Sequence, residues 1–323
     1  MPWIVTFFDV GQGDATDIAL PCGEHILIDA GPCVGRTETG GGNALCEWFE
    51  ACETTMVIRE VVITHNHEDH FGGLLSLLEC PNVQVKQVRL VADCVALGGV
   101  TESFRELIGM LNDRPAIQLR VEDNPVFIHQ ESELLLRARH PRTEVMHPPS
   151  SDPNATSMIL TLEQVKTGEV FVVWAGDAKI KSVEKCCRGM CPGVMMGPHH
   201  GAPQGLPKSG DYGRVFKAIG GKDLYLSFGR DNSHQHPCVD YIKGARLANV
   251  AVTCSEVAKY CWPDCSENVY DGSGELGIMQ PEGTFQCRGS RRIYVSASHG
   301  IFPDQSKADF LSAVQRKVPK QRC

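Results

Sequence analysis

The stretch Thr64-His65-Asn66-His67-Glu68-Asp69-His70 places three imidazoles and an aspartate within six positions, and it constrains this chain more than any other feature. Few structural needs explain such a density, whereas a metal site does. Neutral imidazole nitrogen and carboxylate oxygen are good ligands for first-row ions, zinc being the common choice. The short β-branched run Glu60-Val61-Val62-Ile63 precedes it and reads as a buried strand. Phe71-Gly72-Gly73 follows, and Leu74–Glu79 then reads as a helix. The donors are therefore expected on a tight loop at a strand's carboxyl end, where side chains can be aimed in two directions. Such a pattern suits two adjacent ions, one taking His65 and His67, the other Asp69 and His70.

The rest of the chain must supply a scaffold with an open sheet edge, and its patterning does so. Strand-like runs at 4–10, 15–20 and 24–30 are separated by turn residues and read as a β-meander. Residues 43–52 and 101–112 read as helices, the latter with Thr101 as its cap. Residues 83–91, 118–122, 126–129 and 134–140 read as strands, and the loop at 147–153 separates two halves. The pattern restarts with strands at 157–163, 169–175, 224–228, 250–253 and 292–297, and helices at 179–188, 239–247 and 307–317. Two sheets packed face to face with helices outside would bury this pattern. We expect an α/β fold, a four-layer αββα sandwich. It would form one domain over 1–300, built from halves of about 1–150 and 151–300. A cysteine-bearing insert at about 254–290 and a tail helix at 301–323 would complete it.

Net charge is −8, so no global field attracts polyanions, and tight non-specific duplex binding is disfavoured. The amino terminus has no basic segment and runs straight into a strand, and no apolar stretch is long enough to span a bilayer. A cytoplasmic protein without a membrane partner is expected. Fifteen cysteines then read as thiols or metal ligands. Cys254, Cys261, Cys265 and Cys287 can be read as a four-thiolate structural zinc site or as buried free thiols; their spacing is not that of a compact zinc ribbon.

Further candidates lie where strands end. Asp177 follows Val170-Phe171-Val172-Val173-Trp174 and a glycine, and one carboxylate there can bridge two ions. His199-His200-Gly201 offers one imidazole to the second ion while its neighbour faces substrate or solvent. Asp29, closing Ile26-Leu27-Ile28, can accept from a ligating histidine and set its tautomer. Asp14 can do the same or simply form a turn. Asn154, His234 and His236 are weaker candidates for substrate contact or support of the ligands.

Taken in order, several motifs together resemble the metallo-β-lactamase fold. They are Phe8-Asp9-Val10-Gly11-Gln12-Gly13-Asp14-Ala15, Ile28-Asp29-Ala30-Gly31, the His65–His70 run with Gly72-Gly73, Asn154–Leu160, Gly176-Asp177, Pro198-His199-His200-Gly201 and His236-Pro237. More closely, they are similar to its ComEC-type hydrolase branch, named for the DNA-uptake competence protein. The resemblance spans roughly residues 5–255 and implies an αββα sandwich with a dinuclear site at one sheet edge. It assigns His200 to the second ion and leaves His199 to substrate or proton transfer. Two departures stand out. Asn154 occupies the place where many members carry a third histidine for the first ion. His67 stands where the branch often has Asp, which favours zinc. The membrane channel of competence proteins is lacking.

The expected activity is metal-dependent hydrolysis by a water activated between two divalent ions, zinc foremost and manganese second. Asp69, Asp29 and His199 would act in catalysis. The resemblance favours a phosphodiester in single-stranded nucleic acid or a small nucleotide. Ester, thioester or lactone hydrolysis is the alternative on the same fold, and a non-catalytic metal-binding module is the alternative of another class.

Overall fold

Each end of the chain contributes a strand to the same sheet. The computed structural model describes residues 1–33, 43–92, 101–122, 127–140, 152–229, 232–234, 236–255 and 290–303, with the short antiparallel pair 269–270 and 276–277. β1 (Trp3–Phe7), β2 (Ala15–Ala19) and β3 (His25–Ala30) form the antiparallel meander. Helix α1 (Ala44–Glu50) then carries the chain over to β4 (Met56–Val62), which pairs parallel to β3. Asn43 caps α1, its side chain accepting from the backbone of Leu45 and Cys46. Helix α2 (Glu68–Glu79) leads to β5 (Val83–Val85) and β6 (Gln87–Val91). Helix α3 (Glu102–Asn112), capped by Thr101, leads to β7 (Gln118–Glu122).

The second sheet begins with four antiparallel strands: β8 (Phe127–Glu131), β9 (Leu134–His140), β10 (Ile159–Gln164) and β11 (Val170–Trp174). Three parallel strands follow: β12 (Val194–Met196), β13 (Asp223–Leu226) and β14 (Ala251–Cys254). Their crossovers carry α4 (Ile180–Cys187), α5 (Ser209–Ile219) and α6 (Val239–Leu247). After the pair β15 (Val269–Tyr270) and β16 (Leu276–Gly277), β17 (Arg291–Ser296) returns to pair with β1, and β18 (Gly300–Pro303) closes that edge.

Alternation along β11 shows the layering. Phe171 and Trp174 join Phe7, Leu160 and Tyr225 in the core between the sheets, while Val170 and Val173 face a second core with Val183, Phe216 and Ile242 of α4, α5 and α6. Residues of α1, α2 and α3, among them Leu45, Leu74 and Leu107, cover the other sheet. The molecule is thus an α/β protein in four layers, αββα. Each fully buried large apolar side chain in these layers contributes about 1.5–3 kcal/mol. Among the described residues no helix is long and apolar enough to cross a membrane, and none of the ten described cysteines forms a disulfide.

Some expectations need correction. The helix expected at Leu74 begins at Glu68, so Asp69 and His70 lie in its first turn and only residues 63–67 form the loop. The reason is tertiary. Gly72 and Gly73 are helix interior, and a Cβ there would sit 2.4 Å from the Cys33 nitrogen and 2.1 Å from the Ala30 oxygen. They are glycines so that α2 can press against the end of β3, not because the helix starts after them. The strand expected at 83–91 is two, β5 and β6, pairing in turn with β4. Helix α5 and strand β18 were not anticipated. Cys261, Cys265 and Cys287 and the helix expected at 307–317 lie outside the described residues; Cys254 is buried at the end of β14.

Candidate metal centre

Parallel strands of both sheets end at one rim, and their carboxyl ends carry the polar residues that the core excludes. β4 delivers Thr64, His65 and His67, and the first turn of α2 delivers Asp69 and His70. β11 delivers Asp177, β12 delivers His199 and His200, and β13 delivers Ser227. The loop between β1 and β2 adds Asp14, whose backbone N–H donates to the Asp69 carbonyl at 3.2 Å.

Asp177 is the centre of the arrangement. Its Oδ1 lies 3.2 Å from His70 Nε2 and 3.4 Å from His200 Nε2, and Asp69 Oδ2 lies 3.2 Å from the same His200 nitrogen. Its Oδ2 lies 3.5 Å from His65 Nε2, 4.0 Å from His67 Nδ1 and 3.4 Å from His199 Nε2. We refer to the first group as the inner set and the second as the outer set. His65 Nε2 and His67 Nδ1 are 3.0 Å apart.

The supporting hydrogen bonds decide which nitrogen each ring presents. His70 Nδ1 donates to Asp29 Oδ2 at 2.7 Å, and His200 Nδ1 donates to the Ser227 carbonyl at 2.8 Å with Asp14 Oδ1 at 3.2 Å. Both rings therefore turn an unprotonated-capable Nε2 inward. Asp29 also accepts from the Thr64 backbone at 2.7 Å and from Thr64 Oγ1 at 2.8 Å. Having donated its proton, Thr64 Oγ1 accepts from His65 Nδ1 at 3.1 Å, which again leaves Nε2 facing Asp177. Asp29 holds this position with a positive φ of 54°.

The backbone around the histidine pair is strained. His199 and His200 both adopt left-handed conformations, with φ 53° and 52°. For residues other than glycine that costs roughly 1–2 kcal/mol each, and it persists where surrounding structure over-determines it. His199 N–H donates to the Gly176 carbonyl at 2.8 Å. Gly176 itself, at φ 47°, has no room for a Cβ, which would lie 2.5 Å from Ser157 Oγ and 2.8 Å from Thr64 Oγ1. Ser157 Oγ in turn accepts from the Asp177 backbone at 3.0 Å.

Electrostatics separates the two sets. Burial alone would strip the proton from His70, but the charges of Asp177, Asp29 and Asp69 outweigh it and raise its pKa well above the ordinary value. His200 is raised likewise, burial being outweighed by Asp177, Asp14 and Asp69. Against the cost of burial, the positive charge of His70 and His200 holds Asp177 and Asp69 below the usual carboxylate range. In the outer set burial wins: His67 is pushed down to about 4, with His65 adding to the effect, and His199 is lowered by burial.

These residues fit divalent cations. Asp177 Oδ1, His70 Nε2 and His200 Nε2 are buried with no hydrogen-bond partner. Such orphaned groups are costly unless something else satisfies them. Donors about 2.0–2.2 Å from a tetrahedral ion lie roughly 3.4 Å from one another, the spacing found around both oxygens of Asp177. His65, His70 and Asp177 form one compact triad of ligand atoms, and Asp69, His70 and His200 form another.

The residues expected from sequence separate accordingly. His65, His67, Asp69, His70, Asp177, His199 and His200 converge, with Asp29 and Asp14 behind them. His236 is buried beside the pair, its ring 5.6 Å from that of His199 and stacked 6.1 Å from that of His200. Burial, then the charges of His200 and His199, pushes it down to about 3. His234 is exposed, its ring centre 5.5 Å from that of His236. Asn154 lies in a 3₁₀ turn (Pro153–Ala155) with its Oδ1 buried and without a hydrogen-bond partner among the described residues. Thr64, Ser157 and Ser227 were missed. Thr64 adjoins the histidine run and could have been suspected, whereas no local pattern marks Ser157 or Ser227.

No protein-family model and no curated protein matches this chain in sequence. Among solved structures it is similar to Tm1679, a metal-dependent hydrolase of the β-lactamase superfamily, at 14% identity and TM-score 0.48 over 78% of this chain and 95% of that one. It is also similar to Igni18, a novel metallo hydrolase from the hyperthermophilic archaeon Ignicoccus hospitalis KIN4/I, at 15% identity and TM-score 0.40 over 77% of this chain and 95% of that one. A new diphosphatase from the PhnP family shares 12% identity at TM-score 0.41 over 89% of this chain and 96% of that one.

Proposed function

We propose that this chain is a metal-dependent hydrolase with a dinuclear centre, and that its substrate is a phosphodiester in single-stranded nucleic acid or a small nucleotide. One observation carries the reading: Asp177 presents each of its two oxygens to a separate group of inward-facing imidazoles. Two divalent ions held there, zinc foremost and manganese second, would supply Lewis acidity to a scissile phosphate and a water acidified to near neutral pH. The two-ion arrangement suits an in-line displacement because entering and leaving oxygens are offset together. Asp69, His70 and His200 hold the inner position, and His65 and His67 the outer one. Asp29, through His70 and Thr64, and Asp14, through His200, keep the rings in register. His236, uncharged at pH 7, is placed to contact a substrate oxygen without adding charge. The net charge of −8 suits a small or single-stranded substrate more than a duplex.

The test is a substrate panel on zinc- and manganese-loaded protein: an aryl phosphodiester, a single-stranded oligonucleotide and a cyclic dinucleotide, against an aryl ester, a thioester and a lactone. Turnover confined to the phosphodiesters supports the proposal. Turnover confined to the carboxylic substrates replaces it with the ester-hydrolase reading, and metal binding without turnover on any of them replaces it with a non-catalytic module.

A further inference from the structure

The outer set has two donors from the histidine run, and the position where a third imidazole is expected holds Asn154. We infer that His199 is that third imidazole, so that the strained pair divides itself, His199 to the outer ion and His200 to the inner one. The inference rests on the dinuclear reading above and replaces the expectation that His199 faces substrate.

Three observations carry it. First, His199 Nε2 lies 3.4 Å from Asp177 Oδ2, nearer than His65 Nε2 at 3.5 Å or His67 Nδ1 at 4.0 Å. All three aim at the same oxygen, whereas His70 and His200 aim at the other. Each oxygen of Asp177 then serves three further protein donors: His65, His67 and His199 on one side, Asp69, His70 and His200 on the other. Secondly, the backbone is arranged for both rings. A turn that needed only His200 could place glycine or asparagine at 199, where the left-handed conformation disfavours most side chains. Instead two histidines in succession hold φ 53° and 52°, and His199 N–H is tied to Gly176, the residue before Asp177. Thirdly, among the described residues no hydrogen bond joins the Asn154 side chain to Asp177 or to the three outer imidazoles, and asparagine is not among the usual zinc ligands.

The experiment counts ions and needs no substrate. Wild type, His199→Asn and Asn154→Ala are loaded with zinc, freed of excess metal, and analysed by elemental analysis. The cobalt(II) forms are then titrated and their visible absorption followed. Asparagine tolerates the left-handed backbone, and His199→Gly, which relieves the strain, serves if the first variant does not fold. The expected result is two ions in wild type and in Asn154→Ala, one in the His199 variant, and loss of one of the two phases in the cobalt titration. The outer affinity should fall at least about 100-fold, beyond the usual effect of a supporting residue. Two ions retained in the His199 variant with unchanged titration would overturn the inference. So would loss of an ion in Asn154→Ala alone. Fewer than two ions in wild type would overturn the dinuclear reading and this inference together. Two ions in wild type without phosphodiester turnover would overturn only the proposed substrate.

Discussion

The inner and outer sets are built from the same kinds of side chain, yet their surroundings differ. His70 and His200 are 0% and 1% exposed, and each has Nδ1 committed to a carboxylate or carbonyl behind it. In the outer set His67 is 40% and His199 29% exposed, and His65 is supported from behind by Thr64. The inner set is walled by Asp14, Asp29, Asp69 and Asp177 and attracts positive charge; in the outer set burial lowers His67 and His199. Ligand number is thus a poor guide to how firmly an ion is held. Orientation by a second layer, and the dielectric around it, decides. On the proposed reading the inner position should hold its ion more firmly than the outer one, which is open to solvent.

The strongest way to break this contrast is to remove what the sets share. Asp177→Ala should lose both ions and cut turnover by more than about 100-fold, the upper range for a supporting residue alone. If one ion survives with full affinity, Asp177 does not bridge. Asp69→Ala and His70→Ala come next. Each should abolish hydrolysis and empty the inner position, while circular dichroism shows an intact fold. Full activity in either would remove the run from the centre, and loss of secondary structure would make these residues structural.

Support residues should give smaller and distinguishable effects. Asp29→Asn is expected to weaken the inner ion roughly 10–100-fold and to disturb the outer one too, because Thr64 transmits it to His65. Asp14→Asn should weaken the inner ion alone, by about 10-fold. Equal effects of the two on both ions would erase the distinction between the sets. The smallest effect is thermodynamic. A weak chelator should remove the outer ion first, lowering activity before it moves the melting temperature. Stripping the inner ion should then cost about 2.7 kcal/mol of stability if it had been present at 100 times its dissociation constant. Calorimetry showing a single concerted loss would mean that the ions are bound as one unit.

Much of the centre could be read from the chain because its donors are concentrated. The histidine run, Asp177 after an apolar strand and glycine, and His199-His200-Gly201 are all local signals. So is Asp29 closing β3. The part of His199 among them could not be read. Pairing His65 with His67 and Asp69 with His70 followed from adjacency. The choice of partner for each imidazole pair depends on which oxygen of Asp177 it faces. Ser227 lies 27 residues from the histidine it orients, and nothing near it marks that role. The start of α2 was misplaced for a similar reason. Gly72 and Gly73 look like punctuation but are contact surfaces, a fact known only from the backbone of β3 and Cys33 opposite them.

By itself the sequence determined the alternation that buries two sheets between helices, the rim at which parallel strands end, and the chemical class of the donors gathered there. These depend on neighbours along the chain: period-two apolar patterning, caps such as Asn43 and Thr101, and short runs rich in imidazole. Only the tertiary structure decided which nitrogen each ring presents and which oxygen of Asp177 each histidine of the pair faces. It also decided that Thr64, Ser157 and Ser227 stand behind the converging residues. Such decisions turn on hydrogen-bond distances of about 3 Å between residues far apart in the chain. No local pattern encodes a distance that arises only when two sheets close on each other.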